Sequence, residues 1–184
     1  MELITLENYK TARLVKDVIM HPYKVNQDES GVLVETMRKD WGDIFGEGRE
    51  FFMQYYSETA SGLARDEDVW HYHPTVQDDR FSVVKGEIVV AIADNREDSE
   101  TKGFLNLFYI NARKNPYIVL IPRKTLHGFM VVSNEPAILI NFPTGFYNPQ
   151  EEGRISYEQA EVKLEDGTLF NWDLVRKEFP NLSS

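Results

Sequence analysis

From residue 31 to residue 142 short apolar runs alternate with polar breaks that carry glycine or proline. The runs are GVLVETM, FFMQYY, FSVVKGEIVVAIAD, FLNLFYIN, PYIVLIP, HGFMVVS and PAILINFP, and between them fall ASG, DNREDSETKG, RKNP, SNEP and PTG. Many short strands at regular spacing, without helical periodicity between them, predict an antiparallel sandwich or barrel. FSVVKGEIVVAIAD reads as a strand, a break at Gly86 and a second strand. The apolar positions of EIVVAIA are nearly continuous, as expected where both faces of a strand are covered. Only the tail has helical spacing: Leu169, Trp172, Val175 and Phe179 lie three or four residues apart, and Pro180 ends the run. The stretch ISYEQAEVKLED fits either a strand or a short helix. With no internal repeat or linker, residues 1–184 read as one all-β domain with a short C-terminal helical segment.

Composition narrows the function. At 184 residues and 42% hydrophobic the chain can bury a proper core, and 12% aromatic content suits a β-rich fold or an aromatic-lined pocket. A net charge of −10 repels phosphate backbones, so no nucleic-acid partner is expected. The absence of cysteine excludes disulfides and thiolate metal sites. The start, MELITLENYK, does not resemble a signal peptide, and runs such as YIVLIP are too short to span a bilayer. A cytoplasmic location with no membrane partner is the expectation.

The chemistry concentrates in VWHYHPTVQDDRFSVVKGE, residues 69–87. Side chains at i and i+2 of a strand share a face, so His71 and His73 point the same way. His127, in PRKTLHGFM, supplies a third imidazole from a later strand. Three histidines and the nearby Asp79 would suit a divalent transition metal such as zinc, iron, manganese or nickel. The spacing His71, His73, Asp79, Gly86 resembles the first motif of the cupin barrels, and Pro122 with His127 resembles the second. Here the acid is aspartate, and the His73–Asp79 gap is one residue longer than in that motif. A local bulge is expected to bring the shorter carboxylate into reach.

From about Asp28 to Ile155 the sequence resembles the dTDP-4-dehydrorhamnose 3,5-epimerase family, cupins that isomerise nucleotide sugars. The resemblance is carried by DESGVLVET, by Gly86, Glu87, Asp94, Arg96, Ser99, Thr101 and Gly103, by IPRKTLHGFMVVS and by FYNPQEEGRI. It implies a cupin-type antiparallel β-barrel (a jelly roll) acting on a sugar or sugar nucleotide without a required cofactor. It also implies a homodimer in which RLVKDVIM crosses to the partner. The family reaction moves protons at carbons beside a ketone, which needs a base, a cation or donor at the enolate oxygen, and an acid opposite.

By motif, His71 stands where the family has its basic histidine and His127 where it has the histidine of His-Gly-Phe. His73, His127 and Tyr147 are the candidates for the remaining proton transfer. The family's enolate-stabilising lysine aligns with Asp79, its acid tyrosine with Asn141, and two arginines with Ser30 and Asp68. Met53 and Tyr55 stand in its nucleotide-contacting strand, and the aspartate that supports its histidine lies beyond the Trp172 region, where this chain ends. Arg80 and Lys124, with Asn141 and Tyr55, are therefore the expected substrate contacts, and Arg65 is a further cation. A unit charge about 4 Å from an enolate, at an effective dielectric near 20, is worth roughly 4 kcal/mol. Reversing its sign at Asp79 forfeits several powers of ten in rate.

Three readings follow. One is a keto-sugar isomerase or epimerase with His71 as base. The second is a metal-dependent cupin with His71, His73, Asp79 and His127 as ligands, acting on another small molecule. The third is a non-catalytic carbohydrate-binding cupin. The breadth of the resemblance puts the isomerase first.

Overall fold

A computed structural model describes residues 1–182; Ser183 and Ser184, the end of the predicted domain and tail, lie outside the described residues. The strands, in chain order, are β1 (Ile19–Pro22), β2 (Val25–Asp28), β3 (Gly31–Val34), β4 (Tyr55–Thr59), β5 (Ala64–Arg65), β6 (Val69–Tyr72) and β7 (Asp79–Lys85). They continue with β8 (Glu87–Ala93), β9 (Leu105–Asn111), β10 (Tyr117–Ile121), β11 (Leu126–Val131), β12 (Ala137–Asn141) and β13 (Gly153–Ser156). Short helices are α1 (Gly42–Phe45), α2 (Tyr157–Ala160) and α3 (Trp172–Glu178).

Two sheets face each other. One has the order β1-β10-β7-β12-β4; the other runs β13-β6-β11-β8-β9, with β5 added beside β11. Every pairing between these strands is antiparallel. Among the described residues no strand pairing joins the two sheets, so the expected cupin-type jelly roll takes the form of an open two-sheet sandwich. The hairpin β2-β3 stands apart as a third, exposed ribbon.

Burial follows the alternation of the strands. Phe81, Val83, Ile88, Val90, Ile92, Val119, Phe129 and Leu139 pack between the sheets. Val89, Ala91, Ala93 and Met130 face outward, where Trp70, Tyr157, Phe170, Trp172 and Val175 cover them. Ile118, Leu120 and Ile140, on the back of the other sheet, pack under Tyr23, Ile44 and Phe45. This accounts for the unbroken EIVVAIA: its inner and outer residues are both at most 1% exposed from Ile88 to Ala93. Each fully buried Val or Ile side chain there contributes about 1.5–3 kcal/mol.

The β7–β8 turn depends on Gly86, whose φ is +76°; an added Cβ would lie 2.8 Å from Ser133 Oγ and 2.9 Å from Ala137. The stretch ISYEQAEVKLED is both of its alternatives in turn, since β13 ends at Ser156 and α2 starts at Tyr157. Two expectations are corrected. FFMQYY contributes only its two tyrosines to β4. The tail helix begins at Trp172 rather than Leu169 because Leu169 bridges to Lys163, Phe170 packs on Trp70 and Asn171, before the helix, is extended. Within the chain, Ile19 and Met20 of RLVKDVIM pair with Leu120 and Val119. Among the described residues no helix is long and apolar enough to cross a membrane.

Candidate active site between the sheets

At one end of the space between the sheets the aliphatic core gives way to imidazoles. On the neighbouring strands β6 and β11, His71 lies directly opposite His127, so both rings face the same way. His73 is two residues beyond His71 and shares that face. The ring centroids are 4.8 Å apart for His71–His73, 5.2 Å for His71–His127 and 5.6 Å for His73–His127. One nitrogen of each ring lies within 4.8 Å of the others.

Asp79 opens β7 on the facing sheet and meets two of these rings. Its Oδ2 is 3.0 Å from His73 Nε2 and 3.3 Å from His127 Nε2, and its Oδ1 accepts from Gln77 Nε2 at 2.9 Å and Asn141 Nδ2 at 2.8 Å. The other nitrogen of His73, Nδ1, is 2.8 Å from the carbonyl of Glu151. A carbonyl and a carboxylate can only accept, so this geometry favours a His73 that carries both ring protons. Burial opposes charge on Asp79 and on His73. The paired imidazoles nevertheless hold Asp79 well below the usual carboxylate range, and the bond to Asp79 raises His73 above an ordinary histidine. The expected bulge is not at Asp79. The extra residue is taken up in the loop before β7, while the irregular register lies further along, between Ile138 and Leu139.

His71 is different. Its Nε2 lies 3.5 Å from Glu152 Oε2 and its Nδ1 3.8 Å from Asp66 Oδ2, and Nδ1 is buried without a hydrogen-bond partner. Arg154 draws on both acids, at 3.1 Å from Asp66 and 3.8 Å from Glu152. Burial, and then the neighbouring His127 and His73, push His71 down to about 3. It is a neutral imidazole at physiological pH.

The rings open on a cavity of about 380 Å³ whose wall includes Tyr55, Arg65, Asp79, Tyr147 and Glu152. Tyr55 lines it as expected. Tyr147 sits at the mouth, 73% exposed. Asn141 is fully buried behind Asp79, to which its amide donates, and is not part of the cavity wall. Arg80 is a correction. Strand alternation turns it to the back of its sheet, where the guanidinium donates to the carbonyls of Phe142 and Arg49 at 2.5 Å and Ile44 at 3.2 Å and stacks on Phe45. Lys124 is also displaced: it occupies an exposed turn at φ +66°, outside the cavity wall. Of the three cations expected near substrate, Arg65 alone lines the cavity, tied to Thr59 Oγ1 at 3.0 Å and the Glu58 carbonyl at 3.0 Å.

The sequence reading missed Gln77, Asp66, Glu151 and Glu152. Gln77 was within reach of strand alternation, standing two residues before Asp79. Glu151 was not: it acts at long range, its carboxylate receiving the amides of Thr75 at 3.2 Å and Val76 at 3.0 Å, and so fixing the loop between His73 and Asp79.

Fold and site together describe a cupin-like protein with a histidine-lined cavity between two antiparallel sheets. The family model for dTDP-4-dehydrorhamnose 3,5-epimerase matches residues 12–178. The chain belongs to that family. It is 41% identical over 147 residues to the protein named "Probable low-salt glycan biosynthesis epimerase Agl13" of Haloferax volcanii, covering 78% of this chain and 89% of that one. It is 30% identical over 160 residues to the spore coat polysaccharide biosynthesis protein SpsL of Bacillus subtilis, covering 86% and 93%. The crystal structure of the dTDP-4-dehydrorhamnose 3,5-epimerase of Sulfolobus tokodaii superposes with a TM-score of 0.68 at 27% identity, covering 84% of this chain and 86% of that one.

Proposed function

We propose that this protein epimerises or isomerises a keto-sugar carried on a nucleotide, with His71 as the base that takes a proton from the carbon beside the ketone. The observation that carries this reading is His71 on the wall of the cavity, beside His73 and His127 and with no hydrogen-bond partner for Nδ1 among the described residues, in a chain of the epimerase family. A base must be unprotonated to act, and burial among other imidazoles keeps it so. The aspartate at the position of the family's lysine is less damaging than its sign suggests. Asp79 is not a bare charge: Gln77 and Asn141 donate to it, and the imidazoles of His73 and His127 lie 3.0 Å and 3.3 Å from its Oδ2. Arg65 is the cavity's cation for the diphosphate. A homodimer and a cytoplasmic location belong to the same reading, and analytical ultracentrifugation and cell fractionation test them.

The experiment is incubation with thymidine and uridine diphosphate 4-keto-6-deoxy sugars in deuterated water. Deuterium is expected at the carbons flanking the ketone, and His71→Ala abolishes it. No exchange by the wild-type protein across the panel refutes the reading.

A second reading rests on the mutual approach of His71, His73 and His127 nitrogens within 4.8 Å. A divalent transition metal held by these rings, with Asp79 as fourth ligand, would replace the protons now shared with that carboxylate. Elemental analysis of protein purified without chelator, and melting curves with and without added zinc, manganese, nickel or iron, decide it. Background metal and unshifted curves exclude it.

A further inference from the structure

We infer that Tyr55, rather than the exposed Tyr147, is the catalytic acid that returns a proton to the face of the sugar ring opposite His71. The inference rests on the epimerase reading and adds a second reacting side chain to it.

Inversion at a carbon needs proton removal on one face and delivery on the other, so acid and base must stand on opposite walls. His71 projects from β6 in one sheet, and Tyr55 projects from β4, the edge strand of the facing sheet. Both line the same cavity. Tyr55 is paired in register with Asn141, and Asn141 Nδ2 donates to the Tyr55 hydroxyl oxygen at 2.9 Å. That bond occupies a lone pair of the phenol oxygen, and among the described residues no acceptor directs its own hydrogen. The same amide nitrogen donates to Asp79, and Asn141 Oδ1 accepts the Arg80 backbone N–H at 2.9 Å, which fixes the amide's orientation. Burial, and then the charge of Asp79, push the phenol up to about 12, so it is protonated at neutral pH. The residue as a whole is 42% exposed, while its hydroxyl meets the fully buried Asn141. Tyr147 has no comparable fixation among the described residues and is 73% exposed.

The protons balance as follows. His71 takes the proton of the carbon beside the ketone, the C–H electron pair moves into the enolate, and the ring becomes imidazolium. The Tyr55 O–H bond breaks as its proton passes to the same carbon from the other side, restoring the ketone and leaving a phenolate. Water at the open mouth reprotonates the phenolate and accepts the imidazolium proton.

The test measures two quantities on one substrate, a thymidine diphosphate 4-keto-6-deoxy sugar in deuterated water: deuterium incorporation and inverted product. Tyr55→Phe is expected to lower inverted product by about 10²–10⁴-fold while His71-dependent incorporation continues. Tyr147→Phe should lower inverted product less than Tyr55→Phe does. Asn141→Leu, which removes the amide but keeps the phenol, should lower product formation less than Tyr55→Phe. Thermal melts confirm that each variant is folded. Wild-type inversion in Tyr55→Phe overturns the inference alone, as does equal loss of exchange and inversion in the folded variant. No exchange in wild type overturns the epimerase reading, and the inference with it.

Discussion

Two buried aspartates in this molecule resemble each other in everything but their donors. Asp79 and Asp94 are each 2% exposed, and both are held below the ordinary carboxylate range although burial opposes their charge. Asp94 is served locally: Arg96 Nε at 2.8 Å, Ser99 Oγ at 2.5 Å and Thr101 Oγ1 at 2.5 Å all come from the same hairpin. Asp79 draws on four segments, through Gln77, His73 of the β6 end, His127 of β11 and Asn141 of β12. A guanidinium and two hydroxyls close a turn and do not titrate near neutrality. Imidazoles and a cavity give a carboxylate protons that can move. The two carboxylates therefore differ in their partners, not in their burial.

Breaking that difference has its largest expected effect at Asp79. Asp79→Asn should lower turnover of a keto-sugar nucleotide by about 10²–10⁴-fold, while Asp94→Asn leaves turnover close to wild type at a temperature where it is folded. Equal turnover in the two variants would erase the contrast. Next in size is Arg80→Met, which strips donors from the carbonyls of Phe142, Ile44, Arg49, Glu50 and Pro143. It should cost roughly 2–5 kcal/mol in urea unfolding with little change in KM for substrate, since the guanidinium is behind the sheet. A large KM effect without destabilisation would return Arg80 to the site.

Asp94→Asn should then cost about 1–3 kcal/mol near neutral pH. Because its folded value is depressed, Asp94 contributes stability above the unfolded value of about 3.9, lost as pH falls through the lower folded value. The gap between wild-type and Asp94→Asn melting temperatures should therefore narrow on acidification; a gap that widens contradicts the local network. The smallest effect belongs to Lys124→Ala, within about 0.5 kcal/mol in stability and near wild type in turnover. A clear loss of turnover would place this exposed turn over the bound substrate.

The contrast also marks what the sequence could say. Asp94 lies in DNREDSETKG, where donors and acceptor are within a few positions, and the turn was readable. The shared face of His71 and His73 followed from strand alternation, and the covered faces of β8 from its unbroken apolar run. The outward turn of Arg80 was implied by the same alternation that sends Asp79 inward, once β7 is known to run without a bulge there. The bond from Glu151 to His73 spans 78 positions, and nothing in the local pattern encodes it. The phenol beside Asn141 was equally hidden, because only the β4–β12 register brings the two side chains together. Long-range register, more than residue type, was what the chain withheld.

The strand covered on both faces has a consequence for how the molecule loosens. β8 is paired on both edges, and its amides should be the last in the protein to exchange with solvent. His127 is paired against Ile92 of that strand, whereas His71 lies on β6, whose other neighbour is the four-residue edge strand β13. On warming, the edge frays first, and His71 departs from a partner still held in register. Amide exchange in β13 and β6 should then quicken, and activity should decline, over a span of temperature in which the far-ultraviolet spectrum is still that of the native protein.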